Sequence, residues 1–160
     1  MPVIELHTMI EAPIERVFDL SRSIEFHQDS TDGTDERAIA GKTTGLIGLG
    51  EQVTWEARHF GLRQRLTVTI TRCEQPHYFQ DVMLNGAFKH MRHDHVFQTR
   101  DAGTSMTDRF EFSAPLGWLG VLAERLFLER HLRQLLERRN AHLKCVAESE
   151  EWRRYLPVFN

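Results

Sequence analysis

Apolar and polar residues alternate through most of this 160-residue chain. Val3 to Ile10 alternates and is rich in β-formers, which predicts an opening strand. The period of two returns at Glu51 to His59, Leu62 to Cys73, Tyr78 to Leu84, Phe88 to Thr99 and Thr104 to Ser113. Breaks fall at Phe60-Gly61, Glu74-Gln75-Pro76, Asn85-Gly86 and Gly103. Interruptions this short describe an antiparallel meander, and Asn-Gly between two apolar runs is a strong hairpin signal.

Elsewhere the spacing becomes helical. Ala12-Pro13 opens a helix, because proline at the first helical position forfeits no hydrogen bond, and Ile14, Val17 and Phe18 give it an apolar stripe. Ser23 is a plausible cap for a second short helix running to about Asp29. Ser30 to Gly50 is irregular and glycine-spaced, with one short strand near Glu36 to Ala40. Pro115-Leu116-Gly117 ends the meander, and from about Trp118 to Ala147 only Gly120 interrupts a run of helix formers. Leu119, Leu122, Leu126, Leu132, Leu136 and Leu143 give that helix one apolar face. About 30 residues at 1.5 Å each make a rod roughly 45 Å long, and the sheet is the only large partner for its face. Glu148 to Asn160 reads as a tail from which Trp152, Tyr155 and Leu156 can dock.

Helices and strands are segregated, so the fold class is α+β. The expected form is a curved antiparallel sheet around a long C-terminal helix, with two short helices after the first strand. Such a sheet cannot touch the helix everywhere. A cavity between them is expected, and concave apolar sites are where small molecules bind.

Composition narrows the partners. The length suits one core. A net charge of -3 with signs intermixed argues against nucleic acid, which selects a basic surface. Cys73 and Cys145 lie far apart without metal or disulfide spacing, pointing to a reducing compartment. No apolar run approaches the roughly 20 residues of a membrane span, and the opening Met-Pro-Val-Ile-Glu lacks the pattern of a secretion signal. A cytoplasmic monomer or homodimer without stable membrane insertion and without a cofactor is expected.

The candidate chemistry lies between Phe88 and Asp108. Period-two geometry sets Met91, His93, His95 and Phe97 on one face, the two histidines roughly 6.5–7 Å apart at Cα. Asp81 and Asp108 sit within otherwise apolar strands; a buried carboxylate is costly unless paired, so the histidines or Arg65 are the expected partners. Such a group could hydrogen-bond a ligand carbonyl, approach a metal with Asp108 or Asp81 as oxygen donor, or exchange protons near neutral pH. It could equally be a structural network of wall histidines. A third strong ligand at helical or loop spacing is missing, so no metal is expected. Trp55, Leu119, Leu122 and Leu126 would supply contact area. Arg133, Arg138 and Arg139 are expected on the helix's solvated face, paired with Glu129 and Glu137, with one available to an acidic head group.

Other signals fail. Gly41-Lys42-Thr43 is no phosphate loop, because Glu36 stands where the upstream glycine belongs. Asp29, Asp32 and Asp35 are spaced by three, not by the two of a calcium loop. Neither a nucleophile elbow, an HExxH motif nor a dinucleotide fingerprint is present, so nucleophilic hydrolysis and redox chemistry lack support.

The segment from Ile4-Glu5-Leu6 through Ile10-Glu11-Ala12-Pro13-Ile14-Glu15-Arg16-Val17-Phe18-Asp19-Leu20 resembles the first strand and helix of the START-like superfamily. That superfamily, also called Bet v 1-like or SRPBCC, includes polyketide cyclases and lipid-transfer proteins. Gly50-Glu51-Gln52-Val53-Thr54-Trp55, Phe79-Gln80-Asp81, Gly86-Ala87-Phe88, His93-Asp94-His95-Val96-Phe97, Gly103-Thr104-Ser105-Met106-Thr107-Asp108 and Pro115-Leu116-Gly117 are similar to a bacterial ligand-binding subgroup of it. Met91 departs from that pattern, standing where an aromatic residue is expected.

The resemblance implies a helix-grip fold in one domain over 1–147, with 148–160 as a tail. It implies binding of a small hydrophobic ligand (lipid, quinone or polyketide-like) between sheet and helix. Trp55, Met91, His93, His95, Phe97, Asp108, Leu119, Leu122 and Leu126 are the candidate contacts. The alternatives are a cyclase or dehydratase-type enzyme using His93 or His95 as base with Asp108 orienting it, and a non-catalytic regulator or interaction module.

Overall fold

The computed structural model describes residues 1–114, 122 and 127–157. Strand β1 (Val3–Ile10) leads into helices α1 (Ile14–Ser21) and α2 (Ile24–Ser30), and then strand β2 (Arg37–Gly41). The meander follows as β3 (Gln52–His59), β4 (Leu62–Glu74), β5 (Tyr78–Asn85), β6 (His90–Arg100) and β7 (Gly103–Ser113). Helix α3 (Glu129–Glu148) crosses back over the sheet and ends in a short 3-10 turn, Glu151–Arg154.

All seven strands form one antiparallel sheet in the order β1-β7-β6-β5-β4-β3-β2. Hairpins account for five of the six pairings, and β1 joins β7 across the length of the chain. Gly103 permits that closure: a Cβ there would lie 2.4 Å from the Ile10 carbonyl oxygen, so any other residue would push the strands apart.

The short helices close one end of the sheet. Ser23 caps α2, its hydroxyl accepting the Phe26 N–H at 3.2 Å. On α1 the buried Ile14, Val17, Phe18 and Leu20 face the sheet. There the Phe18 ring meets Phe79 and Phe97 edge-on at centroid distances of 5.6 and 5.4 Å. The glycine-spaced loop after β2 folds back onto the helices, where Ile47 N–H donates to the Arg22 carbonyl.

Helix α3 buries Leu143, Val146 and Ala147 completely, with Leu132 and Leu136 partly covered. It packs on β1, α1 and α2. Of the helix expected from Trp118, Leu119 and Leu126 lie outside the described residues, and Leu122 is half exposed. After α3 the Tyr155 hydroxyl donates to Asp29 at 2.7 Å, Arg16 stacks over Trp152 and Leu156 is buried. Among the described residues no helix is long and apolar enough to cross a membrane.

Candidate functional site

A cavity of about 340 Å³ lies between the concave face of the sheet, α2 and α3. Its middle is apolar: Trp55, Val68, Ile70 and Met91 from the strands, Leu132 and Leu136 from the helix. It reaches the surface beside Phe60, which is 63% exposed. Its inner end is built from ionisable groups.

Register assembles that inner end. His95 pairs with Asp108 on one side and Phe79 on the other, while His93 pairs with Phe110 and Asp81. All six side chains therefore share the concave face. His93 Nε2 donates to Asp108 Oδ1 at 2.9 Å, which fixes its tautomer because a carboxylate only accepts. His95 Nε2 donates to Asp81 Oδ1 at 3.2 Å. Its Nδ1 lies 2.9 Å from Asp108 Oδ1, but off the line of a good hydrogen bond. The two imidazoles lie against each other at 3.8 Å between centroids, and Phe79 stacks on His95 at 4.1 Å.

Helix α3 closes the cluster from the other side. Asn140 Nδ2 donates to Asp108 Oδ2 at 2.7 Å. Arg139, expected on the solvated face, is only 5% exposed; its Nη1 lies 3.8 Å from Asp108 Oδ1 and its Nη2 donates to the Ser21 carbonyl at 3.2 Å. The helical register explains the burial. Arg139 follows Leu136 by three and precedes Leu143 by four, so it sits on the leucine stripe itself.

The electrostatics follow from that geometry. Burial alone would raise the Asp108 carboxyl, but hydrogen bonding and charge from His93 and His95 outweigh it and hold it well below the usual carboxylate range. Asp81 is likewise lowered, the cost of burial being outweighed by His95 and His93. For His93, burial and the neighbouring His95 depress the imidazole more than Asp108 raises it. For His95 burial opposes protonation too, yet two carboxylates overcome it and the value is raised.

A second polar cluster lines the outer part of the cavity. His27 Nε2 donates to Glu36 Oε1 at 3.1 Å and its ring stacks on Trp55 at 4.1 Å. His59 Nδ1 and His131 Nε2 are 3.2 Å apart, joining the tip of the β3–β4 hairpin to α3. Sequence reasoning passed over these residues, although His59 continues the inward parity of Val53, Trp55 and Ala57. Glu36 carries no comparable local signal.

Of the residues singled out in the sequence, Trp55, Met91, His93 and His95 lie on the cavity wall. Asp108 is fully buried behind the histidines, and Phe97 packs against Phe18 and Phe79 away from the cavity. Asp81 stands on the wall, with Leu132 and Leu136 on the helix side. Arg65, weighed as a carboxylate partner, instead donates to Glu56 at 2.9 Å. The side chains of Asp81, His93 and His95 each bring a possible metal-ligand atom within 4.8 Å of the others.

A seven-stranded antiparallel sheet gripping a C-terminal helix, with a cavity between, is the helix-grip architecture of the START-like, Bet v 1-like (SRPBCC) superfamily. Within it the chain belongs to the family described as polyketide cyclase / dehydrase and lipid transport, whose model matches residues 1–148. Among solved structures it is similar to TTHA0849 from Thermus thermophilus, at 17% identity over 91% of this chain and 99% of that one, with a TM-score of 0.71. It is similar also to the ginseng major latex-like protein 151 from Panax ginseng, at 12% identity over 92% and 98% of the two chains and a TM-score of 0.68. A START superfamily protein from Mycobacterium smegmatis matches at 13% identity over 88% and 98%, with a TM-score of 0.64. At these identities the likeness is one of fold. No curated protein matches.

Proposed function

We propose that this protein binds a small, largely apolar molecule (lipid, quinone or polyketide-like) in the cavity between sheet and helix. One observation carries the reading: about 340 Å³ of mostly apolar space ends in a buried His-Asp-Arg cluster. A void of that size falls in the range of small-molecule sites, roughly 300–1,000 Å³. Trp55 and Met91 supply contact area, His93 and His95 supply polar orientation, and Asp108 fixes the rings from behind.

Binding is tested with the neutral fluorophore N-phenyl-1-naphthylamine, whose emission rises in apolar surroundings, together with native mass spectrometry of the purified chain. Met91→Trp puts an indole into the cavity and is expected to reduce the fluorescence gain while leaving the fold intact. An unchanged gain in that variant, or none in the parent protein, rules the reading out.

A second reading is favoured by one contact. His93 has a single nitrogen committed to Asp108 and is held towards its neutral form, which leaves a lone pair at the cavity wall for proton abstraction beside a ligand carbonyl. A cyclase or dehydratase would show turnover that rises through the His93 titration and disappears in His93→Ala.

A further inference from the structure

The charges around the cavity, considered together, limit what its polar end can receive. His95 has a carboxylate oxygen within 3.2 Å of each ring nitrogen, Asp81 at Nε2 and Asp108 at Nδ1. A lone pair facing either carboxylate would be repelled, so the two carboxylates favour the doubly protonated, cationic ring. His93 faces one carboxylate with one nitrogen and needs only one proton. The inner cluster thus sets two carboxylates, Asp81 and Asp108, against one guanidinium, Arg139, and one imidazolium, His95. With His95 protonated it is electrically neutral before any ligand arrives.

The other cations on the wall are also committed. Arg22 donates to Asp19 at 2.9 and 3.0 Å, and Arg65 to Glu56 at 2.9 Å. Glu36 is engaged by His27. Among the described residues, no wall arginine is left without an acidic partner to meet an incoming carboxylate or phosphate. Two donors of the cluster are nevertheless poorly filled: Arg139 Nε is buried without a hydrogen-bond partner, and so is His95 Nδ1, which lies beside Asp108 but off the line of a good bond. A buried orphan donor is costly and is relieved by an oxygen acceptor that reaches it, and in a balanced cluster a neutral acceptor does so without adding charge.

We propose that the cavity selects an uncharged molecule bearing an oxygen acceptor, a ketone, quinone, ester or alcohol, and rejects the carboxylate of the same hydrocarbon. The inference rests on the ligand-binding reading above and adds the class of ligand. An anion entering here would bring a net negative charge into a cluster already balanced, in surroundings where water cannot compensate it.

The test displaces bound N-phenyl-1-naphthylamine from the full chain at pH 7 with methyl decanoate or with decanoate, which share a hydrocarbon tail. The ester is expected to displace the probe at a concentration at least about tenfold lower than the acid, the discrimination a buried unpaired charge imposes. Asp81→Asn removes one negative charge while keeping an oxygen to accept from His95 Nε2, so that with His95 still protonated against Asp108 the cluster is a net cation, and it is expected to shrink that ratio at least fivefold in favour of decanoate (roughly the effect of one buried charge partner). A merely structural role for Asp81 would weaken both competitors alike. Equal displacement by ester and acid in the parent protein, or an unchanged ratio in Asp81→Asn, overturns the selectivity while leaving apolar binding in place. Failure of the probe to bind, with neither ester nor acid retained in native mass spectra, overturns the ligand-binding reading and the selectivity with it.

Discussion

Replacing Asp108 tests the site where its physics is most exposed. The carboxylate is fully buried, accepts from His93 at 2.9 Å and from Asn140 at 2.7 Å, and faces His95 at 2.9 Å and Arg139 at 3.8 Å. Asp108→Ala strands two donors and leaves the His95 and Arg139 cations with Asp81 alone between them. Removing one partner of a buried ion pair costs about 3–5 kcal/mol. The stranded Asn140 donor would add about 1–3 kcal/mol in isolation, but the groups share one network and the terms do not simply sum. Taking about 3–5 kcal/mol for the whole, at roughly 2–4 °C per kcal/mol in a chain of this size, the melting temperature falls by about 6–20 °C.

Asp108→Asn keeps the shape and one acceptor oxygen, so its loss is smaller than that of the alanine variant. Both are read by circular dichroism in thermal and urea unfolding at pH 7. The acid limb of the stability curve reports the same contacts. A carboxyl whose folded value lies well below its unfolded one contributes stability above the unfolded value, near pH 4, and loses it as pH falls towards the folded value. The gap between parent and Asp108→Asn is therefore widest near neutrality and closes below about pH 4. A melting temperature for Asp108→Ala within about 3 °C of the parent, less than 1–2 kcal/mol on this scale, would refute the argument.

The two inner histidines should titrate on opposite sides of their ordinary value. Long-range imidazole nitrogen spectra are expected to place His95 above 6.5 and His93 below it. The stability contributed by His95 is complete below 6.5 and lost as pH rises through its folded value, whereas His93 costs stability as pH falls below 6.5; the reverse order would contradict the assigned contacts. At the cavity mouth, burial depresses His59 against the pull of Glu36, and burial with the nearby charges of His59 and Arg138 depresses His131. Acidification from pH 7 to 5 should therefore weaken the link between the β3–β4 hairpin and α3, with a loss of stability that His59→Gln reduces. A parallel pH profile for that variant would remove His59 from the explanation.

Much of the fold was legible in local pattern because its periods are local. Strand alternation from Glu51 to Ser113 reproduces β3 to β7 to within two residues at each end. Ser23 was identifiable as a cap because a hydroxyl at that position satisfies a free N–H whatever the helix packs against. The concave placement of Met91, His93 and His95 likewise follows from period two once one face is buried.

The site's membership was less accessible. Arg139 stands in the register of Leu132, Leu136 and Leu143, yet its charge suggested solvent. It is buried because Asp108 and the Ser21 carbonyl await it, from elements 31 and 118 residues away in the chain. His27, Glu36, His59 and His131 come from α2, the segment before β2, the end of β3 and α3, and nothing short-range joins them.

Which residues face inward was readable locally, since side-chain direction along a strand or helix is set by backbone geometry within a few residues. Which inward groups meet was a matter of long-range packing. Strand register and the docking of α3 set those distances, and they turn separate histidines, aspartates and one arginine into a balanced cluster at the end of an apolar cavity.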